Sequence, residues 1–187
     1  LFSELPLVWF DAEAAKTALP PVQLAIRNMA QPRPEGVYLY YASLAIAAGD
    51  PAAADRVLGS IRGAEKLSAQ WRTIVLAQKE LAAGPAGPQV AALQNELASL
   101  PSACRPAALF VLGLAHVAAS DEPTIQDGLL QLLTIPAEYG RQDPELAAAG
   151  LYHAAAALDK LKDARGAGAV RQELQGHYAG TFFGSDT

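Results

Sequence analysis

The chain has 187 residues, about half of them apolar, with few aromatic side chains and abundant alanine. That length suits one domain or one short repeat array. With 19 Asp and Glu against 14 Lys and Arg, the formal charge is −5. No stretch gathers the basic residues that a nucleic-acid surface or a polybasic membrane anchor requires, which argues against both.

Residues 1–10 are apolar, contain Pro6, and read as an extended or irregular lead-in. Asp11 is placed to cap a short helix reaching Leu19, which Pro20-Pro21 should end. Pro21 suits the first turn of a second helix running to about Ala30. Residues 1–34 are thus expected to form a lead-in and a helix pair, ending in the stiff connector Gln31-Pro32-Arg33-Pro34.

From Gly36 the pattern is regular. Val37, Tyr40, Tyr41, Leu44, Ala45 and Ala48 fall on one helical face, and Gly49 ends that helix. Asp50-Pro51 starts its partner, with Asp as cap and Pro in the first turn. Ala54, Val57, Leu58 and Ile61 stripe that partner, and Gly63 closes the pair. A second pair carries Leu67, Trp71, Ile74 and Val75, turns at residues 84–88, and continues with Val90, Leu93, Leu97 and Leu100.

A third pair is expected over about 103–119 and 124–134, then a longer link from Pro136 to Gln142. Asp143-Pro144 opens a fourth, which turns at Lys162-Asp163 and ends near Tyr178. The longest apolar run, Ala107 to Ala119, is interrupted by His116 and falls short of the roughly 20 residues of a membrane span, so no membrane insertion is expected. No segment sustains two-residue alternation, so the predicted fold class is all-α.

The intra-pair turns at Asp50, Pro85, Asp121 and Asp163 recur at steps of 35, 36 and 42 residues. Leu44-Ala45-Ile46-Ala47-Ala48-Gly49-Asp50, followed by Ala54, Leu58 and Ile61, is echoed by Ala157 to Asp163 followed by Ala167, Val170 and Leu174. Over about residues 36–180 this resembles the tetratricopeptide repeat, a helix–turn–helix unit of about 34 residues. The family's Trp-Leu-Gly-Tyr pattern is not reproduced in any one unit. The resemblance implies an α-solenoid of antiparallel helix pairs, four in residues 36–180 within a single domain spanning 1–187, with 181–187 as a tail. It also implies a concave surface that holds a protein or peptide.

Candidate chemistry is sparse. His116, His153 and His177 have no metal-binding spacing and read as packed or surface side chains. Cys104 cannot form an internal disulfide or a cysteine zinc site, and reads as a small buried thiol. Gly166 and Gly168 read as close helix packing. No catalytic residue, metal site or cofactor is expected.

The aromatic and basic residues of two helices carry the binding expectation. Tyr38, Tyr40 and Tyr41 cannot all face a core, since successive residues turn by about 100°. Tyr38 and Tyr40, with Arg72, Gln78 and Lys79 from the helix that buries Trp71, are the candidate partner-binding residues. The expected function is a non-catalytic scaffold. The alternatives are an accessory or oligomerisation domain of a larger envelope protein or enzyme, and a helical enzyme or carrier using His153 and Asp159. A start at Leu1 rather than Met suits a trimmed protein of the bacterial periplasm or cell envelope. The single cysteine fits a reducing compartment or a disulfide-free exported protein, so the cytoplasm is a close second, and the partner and oligomeric state stay open.

Overall fold

The computed structural model describes residues 6–62, 65–84 and 87–185, and every regular element among them is helical. Gly63, Pro85 and residues 1–5 of the apolar lead-in, all named above, lie outside the described residues. Contacts divide the chain into two compact units, Leu1–Ala83 and Gly84–Thr187. The boundary falls inside the stretch that the repeat reading takes as its second pair.

The first unit holds α1 (Ala12–Asn28), α2 (Glu35–Ala47), α3 (Pro51–Leu58) and α4 (Lys66–Ala83), preceded by a 3-10 turn at Pro6–Trp9. The expected caps form. The Asp11 carboxylate accepts the N–H groups of Glu13 and Ala14 at 3.0 and 2.9 Å. Asp50 accepts that of Ala53 at 2.9 Å, with Pro51 in the first turn. One expectation fails: α1 runs straight through Pro20 and Pro21, so residues 12–28 form one helix rather than two. Each proline strips the carbonyl four residues earlier of its amide partner. Here both prolines, and the Lys16 and Thr17 they affect, are exposed, so water can take the amide's place.

α2 is the hub of this unit, packing against α1, α3, α4 and the 3-10 turn. A helix enclosed on several sides needs apolar residues around its whole circumference. Leu39, Ala42 and Ile46 are therefore buried together with Tyr41, Leu44 and Ala45. Trp71, Ile74 and Val75 of α4 complete the core, Trp71 at only 2% exposure.

The second unit holds α5 (Pro88–Glu96), a 3-10 turn (Leu97–Ser99), α6 (Arg105–Val117), α7 (Glu122–Tyr139), α8 (Pro144–Lys160), α9 (Ala164–His177) and α10 (Phe182–Ser185). From α6 to α9 each helix packs chiefly on the next. Connections of three or four residues reverse the chain at each step. Asp121, Asp143 and Asp163 cap the three later helices through the N–H groups of Thr124, Leu146 and Gly166.

The link expected from Pro136 to Gln142 is mostly helix, because α7 continues through Pro136 to Tyr139. Pro136 leaves the Leu132 carbonyl without its helical donor. Gly150 of α8 lies against that carbonyl, so close that a Cβ at 150 would stand 2.8 Å from the oxygen. The backbone of α8 thus covers the exposed acceptor, a contact of the Cα–H···O kind. α6 and α7 meet as tightly: a Cβ at Gly128 would lie 2.8 Å from the Val117 nitrogen and 2.9 Å from the Gly113 oxygen. By contrast, Gly168 faces open space and a Cβ at Gly166 would meet only its own cap, Asp163. The close packing expected of that pair of glycines belongs instead to Gly113, Gly128 and Gly150.

One turn recurs in both units. Asp50 N–H bonds to the Ala45 carbonyl at 2.8 Å, and Asp163 N–H to that of Leu158 at 2.9 Å. Each closure uses a left-handed residue, Gly49 at φ 80° and Lys162 at φ 62°, and passes directly into an Asp cap. Lys160, just before the second of these turns, donates its ammonium to the Val117 carbonyl at 3.1 Å and to that of Ala119, capping the C-terminus of α6.

Two substitution experiments test this packing. Gly128→Ala should lower stability by about 1–3 kcal/mol, since the backbone of α6 and the His116 Cβ, neither of which can swing aside, stand in the way. Gly168→Ala, in open helix, should raise it by about 0.5–1 kcal/mol. Urea unfolding of both variants decides, and equal effects would contradict the packing described. Lys162→Gly should raise stability by about 1 kcal/mol by relieving the left-handed penalty. An unchanged urea midpoint would show that Lys162 carries no such strain.

Candidate binding surfaces

The structure sorts the five sequence-selected residues into separate places within the first unit. Tyr38 is half-buried, its hydroxyl accepting from Arg33 Nη1 at 3.5 Å. Tyr40 is also half-buried, on the far side of α2, so only Tyr41 among the three tyrosines enters the core. Arg72 and Lys79, two turns apart on one face of α4, both reach to α3. Arg72 Nε donates to the Leu58 carbonyl at 3.5 Å, and the Lys79 ammonium pairs with Asp55. They act as struts between α4 and α3 rather than as free groove residues. Gln78 lies on another face of α4, half-buried, with its side-chain oxygen unpartnered.

The groups read as inert are packed. Cys104 is fully buried where α6 begins, and burial pushes its thiol up to about 11. Asp159 pairs with Arg171, so it is not joined with His153 in a polar cluster. Among the described residues no group of three or more His, Cys, Asp or Glu stands close enough to hold a metal ion. No helix among them is long and apolar enough to cross a membrane.

Two features of the second unit concentrate accessible apolar surface. In the first, α6, α8 and α10 bring five rings together. His153 lies 5.7 Å from Phe110 and 5.8 Å from Phe183, and Phe183 packs at 4.8 Å on Tyr152. Phe182 adjoins Phe183 at 5.2 Å. Edge-to-face and offset contacts of this kind suit the ring quadrupoles. Tyr152 and Phe182 form the open side of the cluster, at 42% and 39% exposure. Helix α10 is held in place by the Phe182 N–H, which donates to Glu145 Oε2 at 3.0 Å, and by the buried Thr181.

The second feature is a cleft of about 360 Å³ between α5 and α6, lined by Val90, Ala91, Gln94, Ala115, His116 and Ala119. Small side chains leave it open, and Gln131 of α7 bonds to Gln94 at its edge, 3.2 Å away. Neither feature was assembled by sequence reasoning. Thr181-Phe182-Phe183-Gly184 stood out as apolar residues following the last helix, but their neighbours Tyr152 and His153 lie some thirty residues earlier, and only the length of α9 brings the two segments together.

Burial lowers the His153 pKa to about 4, below the roughly 6.5 of an exposed imidazole. Well above pH 6.5 the ring is neutral in both folded and unfolded chains, and its full contribution to stability is present. As pH falls from 6.5 towards 4 the unfolded chain takes up the proton first, and up to about 3 kcal/mol is lost. Urea midpoints at pH 7 and pH 4.5 should therefore differ less in His153→Phe than in the parent chain. An identical difference would show that His153 does not titrate in this window.

Compared with family models, with curated proteins and with solved structures, the chain matches none.

Proposed function

We propose that the chain is a non-catalytic helical-repeat module of the tetratricopeptide-like kind, which binds a protein or peptide partner on its helical surface. The observation that carries this reading is the recurring turn. The same left-handed closure followed by an Asp cap joins α2 to α3 and α8 to α9, more than a hundred residues apart. Recurrence of one helix–turn–helix unit is the physical signature of repeat arrays, whose helix pairs bury their faces by stacking on neighbours. The succession of α6, α7, α8 and α9, with α6 also touching α8, agrees with such stacking. In this reading Tyr38 and Tyr40 supply accessible ring surface, while Arg72 and Lys79 hold α3 in place.

A second reading is favoured by the ring cluster. The exposed edges of Tyr152 and Phe182 suit a contact of an accessory or oligomerisation domain.

The two readings part in one experiment. The purified chain is used to capture proteins from a cell lysate, and each candidate is then titrated in pure form by calorimetry. Saturable binding, weakened at least tenfold by Tyr40→Ala, supports the binding module. Failure of every candidate to bind in pure form, together with concentration-dependent self-association abolished by Phe182→Asp, establishes the second reading instead.

A further inference from the structure

Within the first unit, α1 and α3 both pack on α2, and a groove of about 170 Å³ runs between them. Its walls have the same make-up. Gln23, Ile26 and Arg27 come from α1, and Ala53, Arg56 and Val57 from α3. Each set has the i, i+3, i+4 spacing that puts three side chains on one helical face. Tyr41 of α2 contributes to the floor. Each wall thus offers half-buried aliphatic surface, Ile26 or Val57, beside an exposed arginine.

The two arginines are uncommitted. Among the described residues neither the Arg27 nor the Arg56 guanidinium makes an ion pair or hydrogen bond. No carboxylate lines the groove, and others of the same unit are engaged elsewhere: Asp55 with Lys79, Glu13 with Lys16, and Glu35 with the Arg62 N–H. Arg33 is likewise occupied, donating to the Arg27 carbonyl at 3.1 Å. Two like charges face one apolar groove with no counter-charge between them. A carboxylate placed there gains charge-assisted, forked hydrogen bonds from either side. The volume compares with the roughly 150 Å³ that houses a benzene ring in an apolar protein cavity, which is room for one aliphatic side chain.

We infer that this groove is a docking site for a partner peptide in which an acidic side chain stands within one helical turn of an aliphatic one. The inference rests on the reading of the chain as a binding module. The aliphatic group enters between Ile26 and Val57, and the carboxylate is shared by Arg27 and Arg56.

The test uses the full chain and three fluorescein-labelled twelve-residue peptides that carry one leucine, followed four residues later by Glu, Gln or Lys. Fluorescence anisotropy should show the Glu peptide binding at least tenfold more tightly than the Gln peptide, and more weakly as salt rises. Arg27→Glu and Arg56→Glu should each weaken it at least tenfold, and the double variant should prefer the Lys peptide. Because both arginines are exposed and unpaired, the variants should keep the parent circular dichroism and thermal midpoint. Equal binding of the Glu peptide to parent and charge-reversed chains overturns the groove while leaving the module reading intact. Failure of all three peptides to bind also overturns the groove, and the module reading is then decided by the capture experiment alone.

Discussion

The second unit depends on places where side chains are missing. α7 approaches α6 and α8 so closely that three glycines, Gly113, Gly128 and Gly150, meet a neighbouring helix at backbone distance. Helices bearing ordinary side chains stay 8–10 Å apart, axis to axis. Removing Cβ atoms at the crossings lets main-chain atoms take over the contact, and the surrounding alanines keep the rest of the interface thin. This closeness also lets Pro136 lie within α7. The carbonyl it deprives of a donor is covered by α8, so a feature that would interrupt an isolated helix is absorbed by the next one.

That dependence explains which parts of the fold were legible in the sequence. The caps at Asp11, Asp50 and Asp143 were, because a side-chain oxygen bonding an amide three residues on is a local matter. The all-helical class and the core position of Trp71 were legible for the same kind of reason. The prolines were not. Whether proline ends a helix depends on what becomes of the carbonyl it frees: those freed by Pro20 and Pro21 belong to exposed residues, while a neighbouring helix covers the one freed by Pro136. Neither outcome is written in local sequence. Likewise, the striped reading of α2 missed Leu39 because a hub has no outer face to display a stripe.

The candidate surface was half legible. Arg72 and Lys79 could be placed on α4 away from its Trp71 stripe, but spacing says nothing about what stands opposite, and α3 stands there. Arg27 and Arg56 drew no notice because each looked like an ordinary solvated charge. What sets them apart is that two helices place both on the lining of one groove. Charge division along the chain points the same way: the first unit carries eight acidic and eight basic residues, and the whole excess of negative charge lies in the second. An acidic partner of the kind proposed would therefore be repelled less by the first unit than by the second.

Cys104, fully enclosed where α6 begins, has a consequence outside its own packing. It is the chain's only thiol, and burial keeps it protonated. Alkylating reagents attack the thiolate, so the folded second unit is shielded twice, by access and by protonation. Modification must wait for an opening event. In excess reagent its rate then counts how often α6 comes free, with no label or mutation introduced. The chain thus carries a built-in clock for the opening of α6.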